Sequence, residues 1–315
     1  MQTKTTDLPK GKIKKYFHLA KSDPIRAYLD LVNLFLVVTV IGTLVSILLW
    51  TTSVFKGDSS ISFIAFNIGG FQVYWYGICL VLGTLGGILY VVGRNRNEGI
   101  LKEHLSAVIF WAILVGIIGG RIVFIALDWQ YYSQNIHEVF RLWNGGMSFY
   151  GSLAFGFIAI AAYSAIKNVK LGKVLDLFAP ALLIGQFIGR WGSFFNQEYY
   201  GRPTEYFLKT YISPANRTWD LKLYSYFHPL FLYESVLCLI AFFVILKLRK
   251  KISQSEGMLF AFTILFYAII RFSLGFLGVE EQLIWGLGIT QVVSAIFAIV
   301  SLLIIFLLRG KEKKK

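Results

Sequence analysis

Long apolar runs separated by short polar stretches recur along the chain, and their length decides the architecture. A helix needs roughly 20 apolar residues to cross a bilayer core. Eight runs approach or meet that length: 31–50, 73–92, 105–127, 148–166, 175–195, 229–245, 258–277 and 288–308. The pattern predicts an all-α integral membrane protein with about eight transmembrane helices. The first run follows a basic stretch and lacks a small-residue cleavage site, so it reads as a retained anchor and not as a removed leader.

The polar stretches set the orientation. With the N-terminus inside, segments 1–30, 93–104, 167–174, 246–257 and 309–315 hold 22 lysines and arginines. The opposite segments 51–72, 128–147, 196–228 and 278–287 hold 6. Cytoplasmic loops carry the excess, which places both termini in the cytoplasm. Composition agrees: the chain is 56% hydrophobic and 15% charged, against about 45–50% and about 25% in soluble domains. The net charge of +14 does not imply nucleic acid, because the basic residues sit in short clusters between apolar runs. Cys79 and Cys238 lie inside apolar runs and are too few for a disulfide framework. His18, His104, His137 and His228 lack metal-ligand spacing, so neither metal nor cofactor is expected.

Three arginines, Arg121, Arg190 and Arg271, fall inside the third, fifth and seventh runs. An arginine at a helix centre costs about 2.5–3.5 kcal/mol even on lenient insertion scales. The topology puts all three roughly 8–9 Å below the outer ends of their runs. Tyr76, Tyr150, Tyr233 and Glu234 reach the same level from the even-numbered runs. Each has a plain explanation: arginines snorkel or pair with Glu234 and Glu198, tyrosines form interfacial belts, and glycine pairs permit close helix approach. Convergence at one depth in one leaflet is what these readings explain poorly. Guanidiniums match phosphate oxygens in fork geometry and stay charged when desolvated, so the group suggests a phospholipid phosphate. The loop 196–228, 33 residues long and rich in aromatics, reads as an arm at the outer membrane surface between the fifth and sixth runs.

The stretch GRWGSFFNQEYYGRPT, residues 189–204, closely resembles the signature of bacterial phosphatidylglycerol–prolipoprotein diacylglyceryl transferases, of the form GRxGNFxNxExxG. VYWYG at 73–77, GIIGGRIVF around Arg121, GGMSFYGSL around Tyr150, HPLFLYES at 228–235, YAIIRF at 267–272 and GITQ at 288–291 resemble further parts of that family in its order. The resemblance runs from about residue 72 to 308. It implies a seven-helix core at 72–308, with residues 1–71 as an additional basic tail, helix and linker, and 309–315 as a basic tail. It also implies a multi-pass protein of the bacterial plasma membrane whose site faces the outer leaflet. The implied activity is transfer of the diacylglyceryl group of phosphatidylglycerol to the lipobox cysteine of a prolipoprotein, with glycerol 1-phosphate released.

Carried over by motif position, Arg190 and Arg271 stabilise the departing phosphate. Tyr150 and Glu198 join them as catalytic candidates. Tyr76, Arg121, Ser193, Asn196, Gly201, Glu234, Tyr267 and His228 are the expected substrate-binding or pocket residues. Three positions depart from the family pattern: Tyr150 stands where histidine is frequent, Ser193 replaces asparagine, and Gly275 replaces a glutamate. Proton removal is therefore open between Tyr150, His228, Glu198 and water, and Glu234 is the expected substitute partner of Arg271. Two rival readings remain, a lipid transporter and a phospholipid-binding scaffold without transferase activity. Polar groups confined to one leaflet and the absence of a clear internal repeat disfavour the transporter.

Overall fold

The computed structural model describes residues 39, 46, 49–58, 61–141, 146–252, 255–279, 282–284 and 286–312. Most of the expected run 31–50, and all of the basic tail before it, lies outside these. The chain divides into two units at residues 60 and 61. Among the described residues, seven helices are long and apolar enough to cross a membrane, and all seven belong to the second unit. They are α1 Trp75–Glu98, α2 Lys102–Leu127, α3 Phe149–Ile166, α4 Leu171–Phe195, α5 Leu230–Ile252, α6 Met258–Gly275 and α7 Ile289–Glu312. Each matches one of the last seven expected runs. Several extend further at the lysine- and arginine-rich end, where polar residues continue the helix past the apolar stretch.

The expectation of an all-α membrane protein holds, and among the described residues three short antiparallel hairpins accompany the helices. The first, β1 Ile64–Ile68 with β2 Phe71–Tyr74, runs directly into α1. Gly69 and Gly70 join its strands with positive φ, 57° and 92°, as a primed two-residue turn requires. The second, β3 Thr210–Tyr211 with β4 Tyr226–Phe227, braces the arm. The third, β5 Gln282–Ile284 with β6 Leu287–Gly288, lies between α6 and α7. All three sit at one end of the bundle, where α1, α3, α5 and α7 begin and α2, α4 and α6 finish.

Helix α4 is central. Its Val174, Leu175, Leu177 and Ala181 are buried with Val91 of α1, Leu105 and Val108 of α2, and Ile160 of α3. Leu183, further along α4, is buried with Cys238 and Ile245 of α5 and Leu259 and Ile270 of α6. In lipid, apolar contact alone gives little driving force, so close backbone packing must supply it. Glycines make that approach possible. A Cβ on Gly83 of α1 would lie 2.9 Å from the Gly185 carbonyl of α4. Likewise, a Cβ on Gly151 of α3 would lie 2.9 Å from the Gly119 carbonyl of α2.

At the basic end, side chains tie helices together. Asp176 of α4, 6% exposed, accepts hydrogen bonds from the backbone N–H of Gly257 and of Phe260, both 2.8 Å. It thereby caps α6 from another helix. Asp176→Ala strands those donors and is expected to cost about 1–3 kcal/mol, read as a lower unfolding temperature in detergent. A variant with unchanged stability would remove this role.

Candidate active site

Arg190, Glu234 and Arg271 come from three different helices and meet at the arm-bearing end. Arg190 stands five residues before the end of α4, Glu234 four after the start of α5, and Arg271 four before the end of α6. Glu234 has no exposed surface and pairs with both guanidiniums. Its Oε1 lies 2.8 Å from Arg190 Nη2 and its Oε2 lies 2.9 Å from Arg271 Nη1. The Tyr267 hydroxyl donates to Oε1 at 2.9 Å and receives a bond from Arg190 Nη2 at 3.4 Å. Gly275, where the resemblance places glutamate, leaves its space to Gln291 of α7, whose side chain a Cβ there would strike. Glu234 is thus the carboxylate that Arg271 has.

Tyr199 completes the cluster and was not expected. Its ring lies against both guanidiniums, 4.6 Å from Arg190 and 4.9 Å from Arg271, a cation–π arrangement of the kind that gains strength when desolvated. Its hydroxyl accepts from Arg271 Nη1 and bonds Glu234. Burial, then the charge of Glu234, pushes this phenol well above its ordinary range, so it remains a neutral donor at physiological pH. The backbone at Tyr199 and at Gln197 is left-handed, with φ of 55° and 51°, a conformation that costs non-glycine residues of order 1 kcal/mol or more.

The guanidiniums keep unused donors. Among the described residues, hydrogen bonds engage only Nη2 of Arg190 and only Nη1 of Arg271. Arg190 Nε is buried without a partner. Two positive charges against one carboxylate leave the cluster with a net positive charge and free N–H edges, the preference of an anion with several oxygens.

The motif following Arg190 folds back beside the cluster. Ser193 Oγ donates to Glu198 Oε1 at 3.3 Å and Asn196 Nδ2 to Oε2 at 3.4 Å, so the serine keeps a hydrogen bond despite replacing an amide. Tyr76 of α1 packs on Gly192 and feels the charges of both Glu198 and Arg190. The Gly201 N–H donates to the His228 carbonyl at 2.8 Å. A Cβ on Gly201 would lie 2.5 Å from the Leu277 carbonyl, which explains glycine at this crossing of arm, α5 and α6.

Three expected residues take other positions. Arg121, 7% exposed, donates to the carbonyls of Val139 at 3.0 Å, Gly146 at 2.8 Å and Glu138 at 2.5 Å. It grips the loop between α2 and α3. Tyr150 is 55% exposed, and its ring meets that of Phe149. The His228 ring lies 3.2 Å, Nδ1 to hydroxyl, from Tyr233, at the base of the arm.

Comparison with known proteins identifies the family. Residues 63–307 match the family described as "Prolipoprotein diacylglyceryl transferase". A protein of Lysinibacillus sphaericus (strain C3-41), named phosphatidylglycerol–prolipoprotein diacylglyceryl transferase, is 37% identical over 79% of this chain and 93% of its own. Proteins of the same name from Fervidobacterium nodosum and Thermotoga maritima are 33% and 31% identical. They cover 89% and 86% of this chain and 96% and 93% of their own. The chain belongs to the prolipoprotein diacylglyceryl transferase family.

Proposed function

We propose that this protein transfers the diacylglyceryl group of phosphatidylglycerol to the thiol of a lipobox cysteine at the outer leaflet of a bacterial plasma membrane. The observation that carries the reading is the unspent guanidinium edges of Arg190 and Arg271 around one buried carboxylate. Both arginines bind the lipid phosphate. The acceptor thiol loses its proton, and the thiolate attacks the glycerol carbon that bears the phosphate ester. A carbon–sulfur bond forms as the carbon–oxygen bond breaks, and glycerol 1-phosphate leaves with the electron pair. The phosphate gains negative charge in that step, so donors already aimed at it bind the transition state more tightly than the lipid.

Glu198 is the assigned proton acceptor. Its carboxylate is held by Ser193 and Asn196 beside the arginine-bearing end of α4. The Tyr150 hydroxyl, by contrast, has no hydrogen-bond partner among the described residues to activate it, and the His228 ring is engaged by Tyr233. A thiol of pKa about 8.5 needs only modest help near neutrality, and the positive cluster favours its thiolate.

The test is transfer in vitro by the purified chain with phosphatidylglycerol and a lipobox peptide. The peptide is expected to gain one diacylglyceryl group through its cysteine, and a cysteine-to-serine peptide to gain none. Lipid binding without transfer would replace this reading with that of a scaffold.

A further inference from the structure

A cavity of about 380 Å³ lies beneath the arm, beside the arginine cluster. The turn Glu198, Tyr199 and Tyr200 forms one wall, Asn216 and Thr218 of the arm a second, and Leu230 and Val279 the apolar remainder. Tyr199, one of its lining residues, also lays its ring against both guanidiniums, so one residue joins the cavity to the place assigned to the phosphate.

The arm segment over the cavity is held in place. Gln197 Oε1 accepts from the Ser213 N–H at 2.8 Å and from Asn216 Nδ2 at 3.0 Å. The Tyr200 hydroxyl donates to the Asn216 carbonyl at 3.0 Å and accepts from the Thr218 N–H at 2.9 Å. These bonds use the amide nitrogen of Asn216 and the backbone of Thr218. Both residues are exposed on the arm, and Asn216 Oδ1 and the Thr218 hydroxyl have no protein partner among the described residues, so a ligand in the cavity can reach them.

The chemistry of the walls selects a ligand class. The lining, among the described residues, contains no lysine or arginine, and Glu198 contributes negative charge, so a second phosphate does not fit. A neutral group that both donates and accepts does. We propose that this cavity receives the glycerol of the lipid headgroup, with Asn216 and Thr218 as its specificity-determining contacts. The proposal rests on the phosphatidylglycerol reading of the adjoining cluster and adds the part of the lipid beyond the phosphate.

Two lipids with the same phosphodiester separate the parts: phosphatidylglycerol, and phosphatidylmethanol, which carries a methyl in place of glycerol. Their binding to the full chain in nanodiscs is measured without an acceptor peptide. The wild type is expected to prefer phosphatidylglycerol about 10-fold, the scale of one or two neutral hydrogen bonds. Thr218→Val retains the backbone bond to Tyr200, so the arm stays fastened while the hydroxyl is lost. It is expected to reduce the preference to about 3-fold or less, with phosphatidylmethanol binding unchanged. Asn216→Ala serves as the second variant, with the same expected direction.

Equal binding of both lipids by the wild type, or a preference that survives both substitutions, overturns the proposal. So does tighter binding of phosphatidylethanolamine than of phosphatidylglycerol, since it would make Glu198 an ammonium site. A raised KM for the lipobox peptide with lipid preference intact would assign the cavity to the acceptor instead. Binding and transfer fail separately. A preference without transfer sinks the transferase reading and leaves the pocket, whereas transfer without a preference sinks only the pocket.

Discussion

Arg190→Ala lowers kcat/KM for diacylglyceryl transfer by about 10²–10³-fold or more, the loss typical when a donor aimed at developing charge is removed. Arg190 uses Nη2 on Glu234 and Tyr267, which leaves Nε and Nη1 for the proposed phosphate contact. The fold tolerates the change, because Glu234 retains Arg271 at 2.9 Å and the Tyr267 hydroxyl at 2.9 Å. Stability is therefore expected to fall far less than activity. Arg190→Lys should restore little. A lysine can satisfy Glu234 or approach the phosphate, but it lacks the planar fork that does both. Single-turnover transfer to a fluorescent lipobox peptide, with unfolding followed in parallel, checks both statements. A lysine variant with more than half of wild-type activity would reduce the role of Arg190 to its charge alone.

Glu234→Ala is expected to be the most damaging single change to the fold near the site. It removes the carboxylate common to two buried guanidiniums and leaves them as facing like charges, a loss of about 3–5 kcal/mol. Tyr267 loses its acceptor in the same step. The dependence on Arg271 can be isolated with a double-mutant cycle of Glu234→Ala and Arg271→Ala. Contacting residues couple by about 0.5–3 kcal/mol, and a coupling near zero would reject the pairing. Phosphatidylglycerol should stabilise Glu234→Ala more than the wild type, because an anion that binds the folded state takes the place of the missing carboxylate.

The sequence made the helices legible because each is a run of apolar residues of membrane-crossing length, a signal that needs no tertiary knowledge. Arg190, Arg271 and Glu234 were legible for the opposite reason: in an apolar run, a charge stands out, and topology fixes its depth. Tyr199 was hidden among the many aromatics of 196–228. Only the left-handed turn at Gln197 and Tyr199 brings its ring between the arginines, and no local pattern announces that turn. Arg121 has the same sequence appearance as Arg190, yet its donors go to loop carbonyls. What differs is the fold of residues 128–141, built from the short helix Trp129–Gln134 and the 3₁₀ turn Ile136–Phe140, which apolar periodicity does not reveal. The small hairpins escaped because each strand has only two to five residues.

The placement of these counter-groups also leads to an expected order of membrane insertion. Arg121 finds its carbonyl acceptors in the loop that joins α2 to α3, so this hairpin enters the bilayer with its charge already solvated by itself. Arg190 has no such provision within α4. Its carboxylate arrives on α5, and the second arginine that shares it arrives on α6. A nascent α4 held beside the translocation machinery until α5 emerges avoids the insertion cost of an unpaired arginine, about 2.5–3.5 kcal/mol at a helix centre. Helices α4, α5 and α6 are on this argument expected to insert as one unit, and the proposed phosphate site would be assembled by the same event that lets them leave water.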